Sequence, residues 1–344
     1  MNTRSGIIAG GNWIIDRVKL IDAWPPQDAL ASIVGQSAGN GGSPYNILKD
    51  LARLGAPFRL EAIGLVGDDA DGRWIREDCV AHRIGTRGLQ VTADAPTSYT
   101  DVMTVTSTGR RTFFHQRGAN ALLGPEHFDF TGTSAKLFHL GYLLLLDRLD
   151  QNGASGVPLA AEVLRRARES GLRTSVDCVS ENSDRFRTIV TPVLPMVDVL
   201  FANDFEAEKL TGIRLHGDGG FDSQAIERAA RVLLEAGVRE WVVIHLPDTV
   251  HASSAGGESF WQPSVCMPAE DVKGAAGAGD AFAAGVLFGL HEEWPMPRAL
   301  ELGVCAAAAS LRHPTCSESV VSAAECLTLG QKHGYRSGPP AAER

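Results

Sequence analysis

The segment 274–285 holds the residues whose types and spacing are best suited to chemistry. Small residues lead through Gly277 and Gly279 into Asp280, and a helical pattern continues beyond Leu287. Glycines allow a tight turn that presents several backbone N–H groups toward one point, and the dipole of a following helix adds positive potential there. Such a turn can hold a phosphate or a developing negative charge, and an aspartate at its edge can accept a proton from a hydroxyl.

The same residues also have a plainer interpretation. Asp280 can cap the helix while the glycines form an ordinary loop. The segment is not a P-loop, because the chain contains no G-x-x-x-x-G-K-[ST]. Its glycine spacing also differs from the dinucleotide fingerprint G-x-G-x-x-G, which belongs after the first strand of a fold. The local pattern alone therefore leaves both a phosphate site and a simple loop open.

The elements that must position this segment alternate between strands and helices after about residue 130. Short apolar runs predict strands at 136–141, 172–177, 196–203 and 241–244. Amphipathic runs between them predict helices at 158–170, 204–211 and 222–236. Near-continuous apolar strands separated by helices indicate a parallel sheet that is covered on both faces. We therefore predict a doubly wound α/β fold with a mostly parallel sheet and helices on both faces.

The first 120 residues show a different pattern. A helix is predicted at 44–54, and β-rich runs lie around it at 13–15, 32–34, 99–106 and 112–114. We interpret these runs as a small β-sheet beside the main one, a candidate lid with strands in about 12–37 and 97–117. The whole is predicted to be one domain of residues 1–335, followed by a disordered tail at 336–344.

Composition and charge exclude several other classes of protein. The formal net charge of −9 argues against nucleic acid as a partner, and no apolar stretch is long enough to predict a membrane span. The amino terminus lacks the apolar core of a signal peptide. The six cysteines are scattered without a C-x-x-C pair, so we expect buried structural thiols in a reducing cytoplasm rather than a zinc site.

Residues 277–285 resemble the carboxy-terminal signature of the ribokinase-like (PfkB-type) carbohydrate kinases, G-A-G-D-A-F-x-x-G. The amino-terminal signature of that family, G-G-x-x-x-N, L-x-x-L-G and G-x-V-G-x-D-x-x-G, is matched at 41–46, 51–55 and 64–72. Further matches lie at 11–16, at 110–120 and at 203–206, where N-x-x-E occurs. The matches follow the family's order from about residue 5 to 315, and the chain is identified as a member of this family.

The resemblance implies roles for the matched residues. Gly277, Ala278 and Gly279 would supply the backbone donors of an anion hole, and Asp280 would be the catalytic base. The sugar would contact Asp16, Gly42, Asn46 and, after the lid strand, Asn120. Asn203 and Glu206 would act near magnesium and phosphate, and His245 lies where relatives carry a loop that contacts nucleotide.

Two more residues are candidates on physical grounds. Arg117 precedes the G-A-N match and can pair with an acidic or phosphorylated substrate, although a solvated lid charge is an equal alternative. Asp177 ends a central strand, which is where open α/β sheets bind their ligands. His139 is expected to be a hydrogen-bonded structural histidine, since no second metal ligand has suitable spacing.

The chain departs from the family pattern on the nucleotide side. The usual Asp-Thr-Thr before G-A-G-D is replaced by Gly274, Ala275 and Ala276, which removes an aspartate that commonly helps to hold a monovalent cation. Pro247 stands where the family has a glycine-rich loop, and proline lacks a backbone N–H donor. Potassium activation and the strength of nucleotide binding are therefore left open.

The predicted function is ATP- and Mg²⁺-dependent transfer of the γ-phosphate to a hydroxyl of a sugar or sugar acid. Alternatives are a catalytically impaired sensor of sugar or nucleotide on the same fold, which the altered nucleotide segments motivate, and a nucleoside kinase. A nicotinamide dehydrogenase is disfavoured because the early G-x-G-x-x-G is missing. The sequence does not identify which sugar or nucleoside is the acceptor. The exposed edges of the lid strands suggest a homodimer.

Overall fold

A computed structural model describes residues 4–217 and 220–338 of the chain. Its strands are β1 (Ile7–Gly11), β2 (Ile14–Ile21), β3 (Ile33–Gly41), β4 (Leu60–Gly67), β5 (Ile84–Thr92), β6 (Ser98–Val105), β7 (Arg111–Gln116), β8 (Leu137–Leu143), β9 (Arg173–Cys178), β10 (Val199–Asn203), β11 (His216–Gly217), β12 (Gly220–Phe221), β13 (Trp241–His245), β14 (Thr249–Ser254) and β15 (Ser259–Pro263). Its helices are α1 (Ser43–Arg53), α2 (Ala70–Ala81), α3 (Leu159–Glu169), α4 (Asp204–Thr211), α5 (Ser223–Glu235), α6 (Ala278–His291), α7 (Met296–Ser310) and α8 (Ala323–His333).

The main sheet has the strand order β15-β14-β13-β10-β9-β8-β1-β4-β5. Every pairing from β13 to β5 is parallel, and β14 runs antiparallel to both of its neighbours. Parallel neighbours need crossover connections, and the helices between the strands supply them. The prediction of a mostly parallel, doubly wound sheet is confirmed.

Two hydrophobic cores lie on opposite faces of this sheet. Ile7 packs into the core beneath α1, α2, α6, α7 and α8, whereas its neighbour Ile8 packs into the core beneath α3, α4 and α5. Val199 and Leu200 divide in the same way. Because successive side chains of a strand point to opposite faces, a strand covered on both sides is apolar at nearly every position. This is the physical origin of the continuous apolar runs in the sequence.

A small four-stranded sheet of order β3-β2-β6-β7 stands beside the main one. Its central pair, β2 and β6, is parallel, and the outer pairs are antiparallel. The predicted small sheet is therefore present, and β3 extends four residues past the predicted boundary at 37. The first 120 residues do not form the small sheet alone. Three of their strands, β1, β4 and β5, belong to the main sheet. The homodimer through the small sheet stays a prediction.

Other predictions concern the tail and the cysteines. Arg336, the first residue of the predicted tail, donates its backbone N–H to the carbonyl of Ser264 at 2.8 Å. Residues 339–344 of that tail lie outside the described residues. Five cysteines are buried free thiols, but the expectation of burial is wrong for Cys266, which is exposed because it follows the edge of the sheet after β15. In the described part of the chain, no helix is long and apolar enough to cross a membrane.

Candidate active site

The predicted site residues meet in a cavity of about 480 Å³ at the carboxyl ends of the central strands. Cys178, Asn203 and His245 are the last residues of β9, β10 and β13, and the small sheet closes another side. The structure brings together Asp16, Gly42, Asn46, Asp177, Asn203, Glu206, His245, Gly277, Ala278, Gly279 and Asp280 in its lining.

The turn at Gly277 opens the amino terminus of α6 into this cavity. Gly277 caps the helix with φ 72°, in the left-handed region, and no side chain occupies the cap. The first N–H groups of a helix have no partner inside it. A Cβ at position 277 would lie 2.5 Å from the Cβ of Cys316, so only glycine fits this turn. The uncapped N–H groups and the helix dipole together form a site for an anion.

Asp280, in the first turn of α6, is held by donors from two other elements. Asn46 of α1 donates its Nδ2–H to Oδ2 at 2.7 Å, and the hydroxyl of Tyr142 reaches both carboxylate oxygens at 2.9 and 2.8 Å. Asn40 donates to the Oδ1 of Asn46 at 2.6 Å, which turns the Nδ2 of that amide toward Asp280. The carboxylate is therefore buried and oriented before any ligand arrives.

Burial gives the carboxyl groups of the cavity unusual acidities. The pKa of Asp280 is raised to about 8, first by burial and then by the negative charge of Asp177, while the hydrogen bonds from Asn46 and Tyr142 lower it. Burial also raises the pKa of Asp16 to about 7. A carboxyl group whose pKa lies near neutral pH can exchange a proton with a bound hydroxyl.

Asp177 is fixed by a chain of buried polar side chains. Ser43 donates its hydroxyl to Asp177 Oδ2 at 2.7 Å, and the Nε2 of His139 lies 2.8 Å from the same hydroxyl. Ser175 contacts the other ring nitrogen of His139 at 2.9 Å. The second oxygen of Asp177, Oδ1, is buried without a hydrogen-bond partner among the described residues, and the Nε2 of His139 lies 3.5 Å from it. His139 has the hydrogen-bonded position that we expected of it.

Asp16 and Gly42 line the side of the cavity next to the small sheet. Asp16 lies on β2, where the Sγ of Cys316 is 3.7 Å from its Oδ2. Gly42 precedes α1 with φ 84°, and a Cβ there would lie 2.3 Å from the carbonyl oxygen of Asn12. A larger residue at position 42 would therefore displace the start of α1, which carries Asn46.

Asn203 and Glu206 form the amino-terminal cap of α4. The Asn203 Oδ1 accepts from the Glu206 N–H at 2.8 Å, and Glu206 Oε2 accepts from the Asn203 N–H at 3.0 Å. Ser180 donates to Glu206 Oε1 at 2.7 Å. Burial raises the pKa of Glu206 to about 8. Both carboxylate oxygens already have donors, and no group of three potential metal ligands occurs in the described part of the chain.

The side of the cavity where the sequence predicts nucleotide contacts ends in a tight hairpin. The N–H of Leu246 donates to the carbonyl of Thr249 at 2.8 Å, so Pro247 and Asp248 form the turn between β13 and β14. Burial lowers the pKa of His245 to about 4, which leaves its ring neutral at pH 7. A second cavity of about 670 Å³ begins at this hairpin, and its lining includes Asp204, Leu246, Pro247 and Asp248. The two cavities adjoin at the ends of β10 and β13.

Two predicted substrate residues lie outside the lining. Arg117 forms an ion pair with Asp147, which holds its guanidinium away from the cavity. Asn120 is buried, accepts from the N–H of Trp13 and donates to its carbonyl, each at 3.2 Å. The amide of Asn120 therefore fastens the start of β2 to the turn after β7. The structure does not bring either side chain to Asp280.

Several lining residues were missed by the sequence interpretation. Tyr142 follows Gly141 at the carboxyl end of β8, and the rule that ligands bind at strand ends would have pointed to it. Further missed residues come from the small sheet and from the segment before α8: Thr100, Arg111, Phe113, His115 and Cys316. Arg111 and Phe113 lie within the family match at 110–120, but no role was assigned to them.

The chain is similar to several known kinases. The family model described as pfkB family carbohydrate kinase matches residues 12–323. An ATP-dependent ribose-1-phosphate kinase of Halopiger xanaduensis is 28% identical over 84% of this chain and 86% of its own. A 5-dehydro-2-deoxygluconokinase of Geobacillus kaustophilus is 28% identical over 85% of each chain. The structure of Arabidopsis thaliana ribokinase, complexed with ribose and ATP, has a TM-score of 0.74 at 19% identity and covers 95% of this chain and 98% of its own.

A family match over most of the chain, together with the fold, defines the class of protein. The chain belongs to the PfkB family of carbohydrate kinases. It is a sugar kinase, an enzyme that transfers a phosphoryl group to an alcohol group of its acceptor. The recognition made from the motifs is confirmed.

Proposed function

We propose that this enzyme transfers the γ-phosphate of ATP to one hydroxyl of a sugar or sugar acid, with Asp280 as general base. The observation that carries the proposal is the position of Asp280. Its buried carboxylate lies in the first turn of α6, beside uncapped N–H groups, within a cavity that both sheets line. A proton acceptor and an anion site are thus adjacent, as phosphoryl transfer to a hydroxyl requires.

In this mechanism Asp280 accepts the proton of the attacking hydroxyl. The N–H groups at positions 277–279 stabilise the negative charge that spreads over the transferred phosphoryl group, in a turn that is already formed. The N–H of Ala278 donates to the carbonyl of Ala275 at 3.4 Å and would exchange this long hydrogen bond for the phosphoryl oxygen. Asp16, Asn46 and the free oxygen of Asp177 orient the sugar. The small sheet acts as a lid that limits entry of water, which would otherwise accept the phosphoryl group.

We place the nucleotide along the ends of β10 and β13, where His245 lines the first cavity and the second cavity begins. The described residues fit a magnesium ion held mainly by phosphate and water, since both oxygens of Glu206 already accept hydrogen bonds, and Oε2 accepts only one and can take a second from water. Asn203 and Glu206 would then hold its water shell. Bound magnesium would neutralise phosphate charge.

The test is a coupled assay of ADP release with MgATP and a panel of neutral sugars, sugar acids, sugar phosphates and nucleosides, with and without potassium. Turnover with one class of acceptor is the expected result. The sensor alternative is favoured by one observation, the hairpin with Pro247 in place of a glycine-rich loop. ATP binding without ADP release for any acceptor would support the sensor and contradict the kinase.

Replacing Tyr142 with phenylalanine tests the protonation of Asp280. The Tyr142 hydroxyl stabilises the charged carboxylate, so its loss should raise the pKa of Asp280 above about 8. Because a base must be deprotonated to act, the acid limb of kcat/KM should move to higher pH. Activity at pH 7 should fall about tenfold, and activity above about pH 9 should change little. The measurement is a pH–rate profile of both enzymes.

The control for that experiment is Tyr335→Phe. The Tyr335 hydroxyl donates to Glu301 at 2.9 Å, outside the cavity, so its removal should leave the profile unchanged. The charges of Asp16 and Asp177 act on Asp280 in the wild type and in each variant, so they do not alter the comparison of the pH profiles. Identical acid limbs for the wild type and Tyr142→Phe would contradict the assignment of Asp280 as the titrating base.

A further inference from the structure

Arg111 is the one arginine or lysine among the described residues that line the active-site cavity. It is half-buried at the start of β7. The other ionisable lining residues are the carboxyl groups of Asp16, Asp177, Glu206 and Asp280, two histidines, Tyr142 and two cysteines. Burial lowers the pKa of both histidines to about 4. The permanent positive charge of this lining therefore belongs to Arg111.

No protein anion neutralises this guanidinium. Arg111 forms no ion pair with another residue in the described part of the chain, and its guanidinium carbon lies 5.6 Å from the centroid of the Phe113 ring. Asp16 is near enough to feel the charge of Arg111, but that effect is smaller than those of burial, Cys316 and Thr100. By contrast, Arg117 has Asp147 as its partner, and Arg110 is exposed to solvent.

The position of Arg111 in the fold places it on the sugar side. It shares the small sheet with Asp16, Thr100, Phe113 and His115, all of which line the cavity. The residues that we assign to the nucleotide, Asn203 and His245, end strands of the main sheet instead. A ligand group that meets Arg111 is therefore part of the phosphoryl acceptor.

His115 adds a second group without a partner on the same strand. One ring nitrogen, Nδ1, lies 3.0 Å from the hydroxyl of Thr100. The other, Nε2, is buried and has no hydrogen-bond partner among the described residues. A buried polar atom without a partner is costly, and a polar substituent of the ligand would relieve that cost. Arg111 thus lacks a counter-ion, and the Nε2 of His115 lacks a hydrogen-bond partner. A polar, anionic ligand can supply both.

We infer that the sugar acceptor carries an oxyanion, either a phosphate or a carboxylate, and that Arg111 binds it. The inference rests on the proposed kinase function and names its substrate class. The planar guanidinium matches the two oxygens of a carboxylate or phosphate with two parallel hydrogen bonds, which an ammonium group does not reproduce. An anionic substituent also explains an arginine in a cavity that otherwise carries carboxyl groups. A neutral sugar would leave its charge uncompensated.

The experiment measures kcat and KM for four acceptors, ribose 1-phosphate, gluconate, ribose and fructose, in four proteins. These are the wild type, Arg111→Gln, Arg111→Lys and the control Arg110→Gln, whose exposed side chain is next in sequence. We expect the wild type to prefer an anionic acceptor. Arg111→Gln should lower kcat/KM for that acceptor by about 10- to 100-fold, mainly through KM. Lysine should restore part of the loss, and Arg110→Gln should match the wild type.

The two anionic probes separate the two sources of the charge. Preference for ribose 1-phosphate would identify a phosphate, and preference for gluconate would identify a carboxylate. A wild type that prefers neutral sugars would overturn the inference while leaving the kinase intact. A higher KM for ATP with every acceptor in Arg111→Gln would also overturn it, since the guanidinium would then serve the nucleotide.

Calorimetry of the same probes without ATP measures their binding separately from turnover. It therefore distinguishes failure of the proposed kinase function from failure of the inference about Arg111. Binding of an anionic probe that Arg111→Gln weakens, with no ADP release, would support the inference and contradict the proposed phosphoryl transfer. Failure of both anionic probes to bind the wild type would overturn the inference, whatever the neutral sugars do.

Discussion

Asp280→Asn should lower kcat by about 10²- to 10⁴-fold, because this is the range that a positioned general base contributes. Asparagine has nearly the same shape as aspartate but cannot accept the hydroxyl proton at neutral pH. Asn46 and Tyr142 can still donate to its side-chain oxygen, so the cavity should keep its form. We therefore expect sugar and ATP to bind almost as tightly as in the wild type. Single-turnover kinetics and calorimetry with the preferred acceptor measure the two quantities separately.

The same variant has a signature in stability that is independent of catalysis. The pKa of Asp280 is about 8 in the folded protein, above the ordinary value near 4 of an unfolded chain. Folding therefore favours the protonated carboxyl, and the wild type loses stability as the pH rises from about 4 to about 8. Asparagine does not titrate, so the melting temperature of Asp280→Asn relative to the wild type should increase between pH 5 and pH 8.

A surface variant provides the control for both measurements. Glu169 forms an ion pair with Arg165 at the surface, and Glu169→Gln should change neither kcat strongly nor the pH dependence of unfolding. Turnover of Asp280→Asn within a few-fold of the wild type would refute Asp280 as the base. A melting-temperature difference that is the same at pH 5 and pH 8 would refute its raised pKa.

The second large effect is expected from Gly277→Ala. At φ 72° an alanine is strained by about 1 to 2 kcal/mol, and its Cβ would also lie 2.5 Å from the Cβ and 2.9 Å from the Cα of Cys316. The turn must move to relieve this collision, and the N–H groups at the start of α6 move with it. Loss of one donor of this kind costs about 10²- to 10³-fold in kcat, so we expect a decrease of at least that size.

Gly109→Ala isolates the collision from the backbone strain. Gly109 has φ 67°, nearly the same conformation, but nothing lies within 4 Å of a Cβ built there. Gly109→Ala should therefore lose a similar amount of stability from strain and keep its turnover. Urea unfolding and steady-state kinetics of both variants make the comparison. If the two variants had equal kcat, the start of α6 would not be the anion site.

Much of the fold was predictable because its signals are local. The apolar runs that became β8, β9, β10 and β13 are continuous since both faces of those strands are covered. The helix predicted at 204–211 is observed as α4 with the same bounds, and Gly212 ends it with φ 74°. The small sheet was predicted from short β-rich runs, but its boundary at residue 37 was four residues early. The last residues of a strand show no alternation of apolar and polar side chains that would mark where the strand ends, so its boundary was misplaced.

The origin of β1, β4 and β5 was harder to predict. These strands come from the same part of the chain as the small sheet, and they pair with strands from elsewhere in the main sheet. β1, for example, lies between β4 and β8, and residue 7 pairs with both Leu60 and Leu137. Pairing between distant segments depends on the packing of the whole domain, so a local pattern does not reveal it.

The sequence by itself determined the class of this protein and the segment that carries its chemistry, because a glycine turn followed by an aspartate and a helix is a local feature of neighbouring residues. Only the tertiary structure decided what surrounds Asp280. Asn46 and Tyr142 reach it across 234 and 138 residues of chain, and Arg111 lines the cavity in place of the expected Arg117. The reason is physical: hydrogen bonds and charges act through space, and the fold alone sets which distant side chains are neighbours.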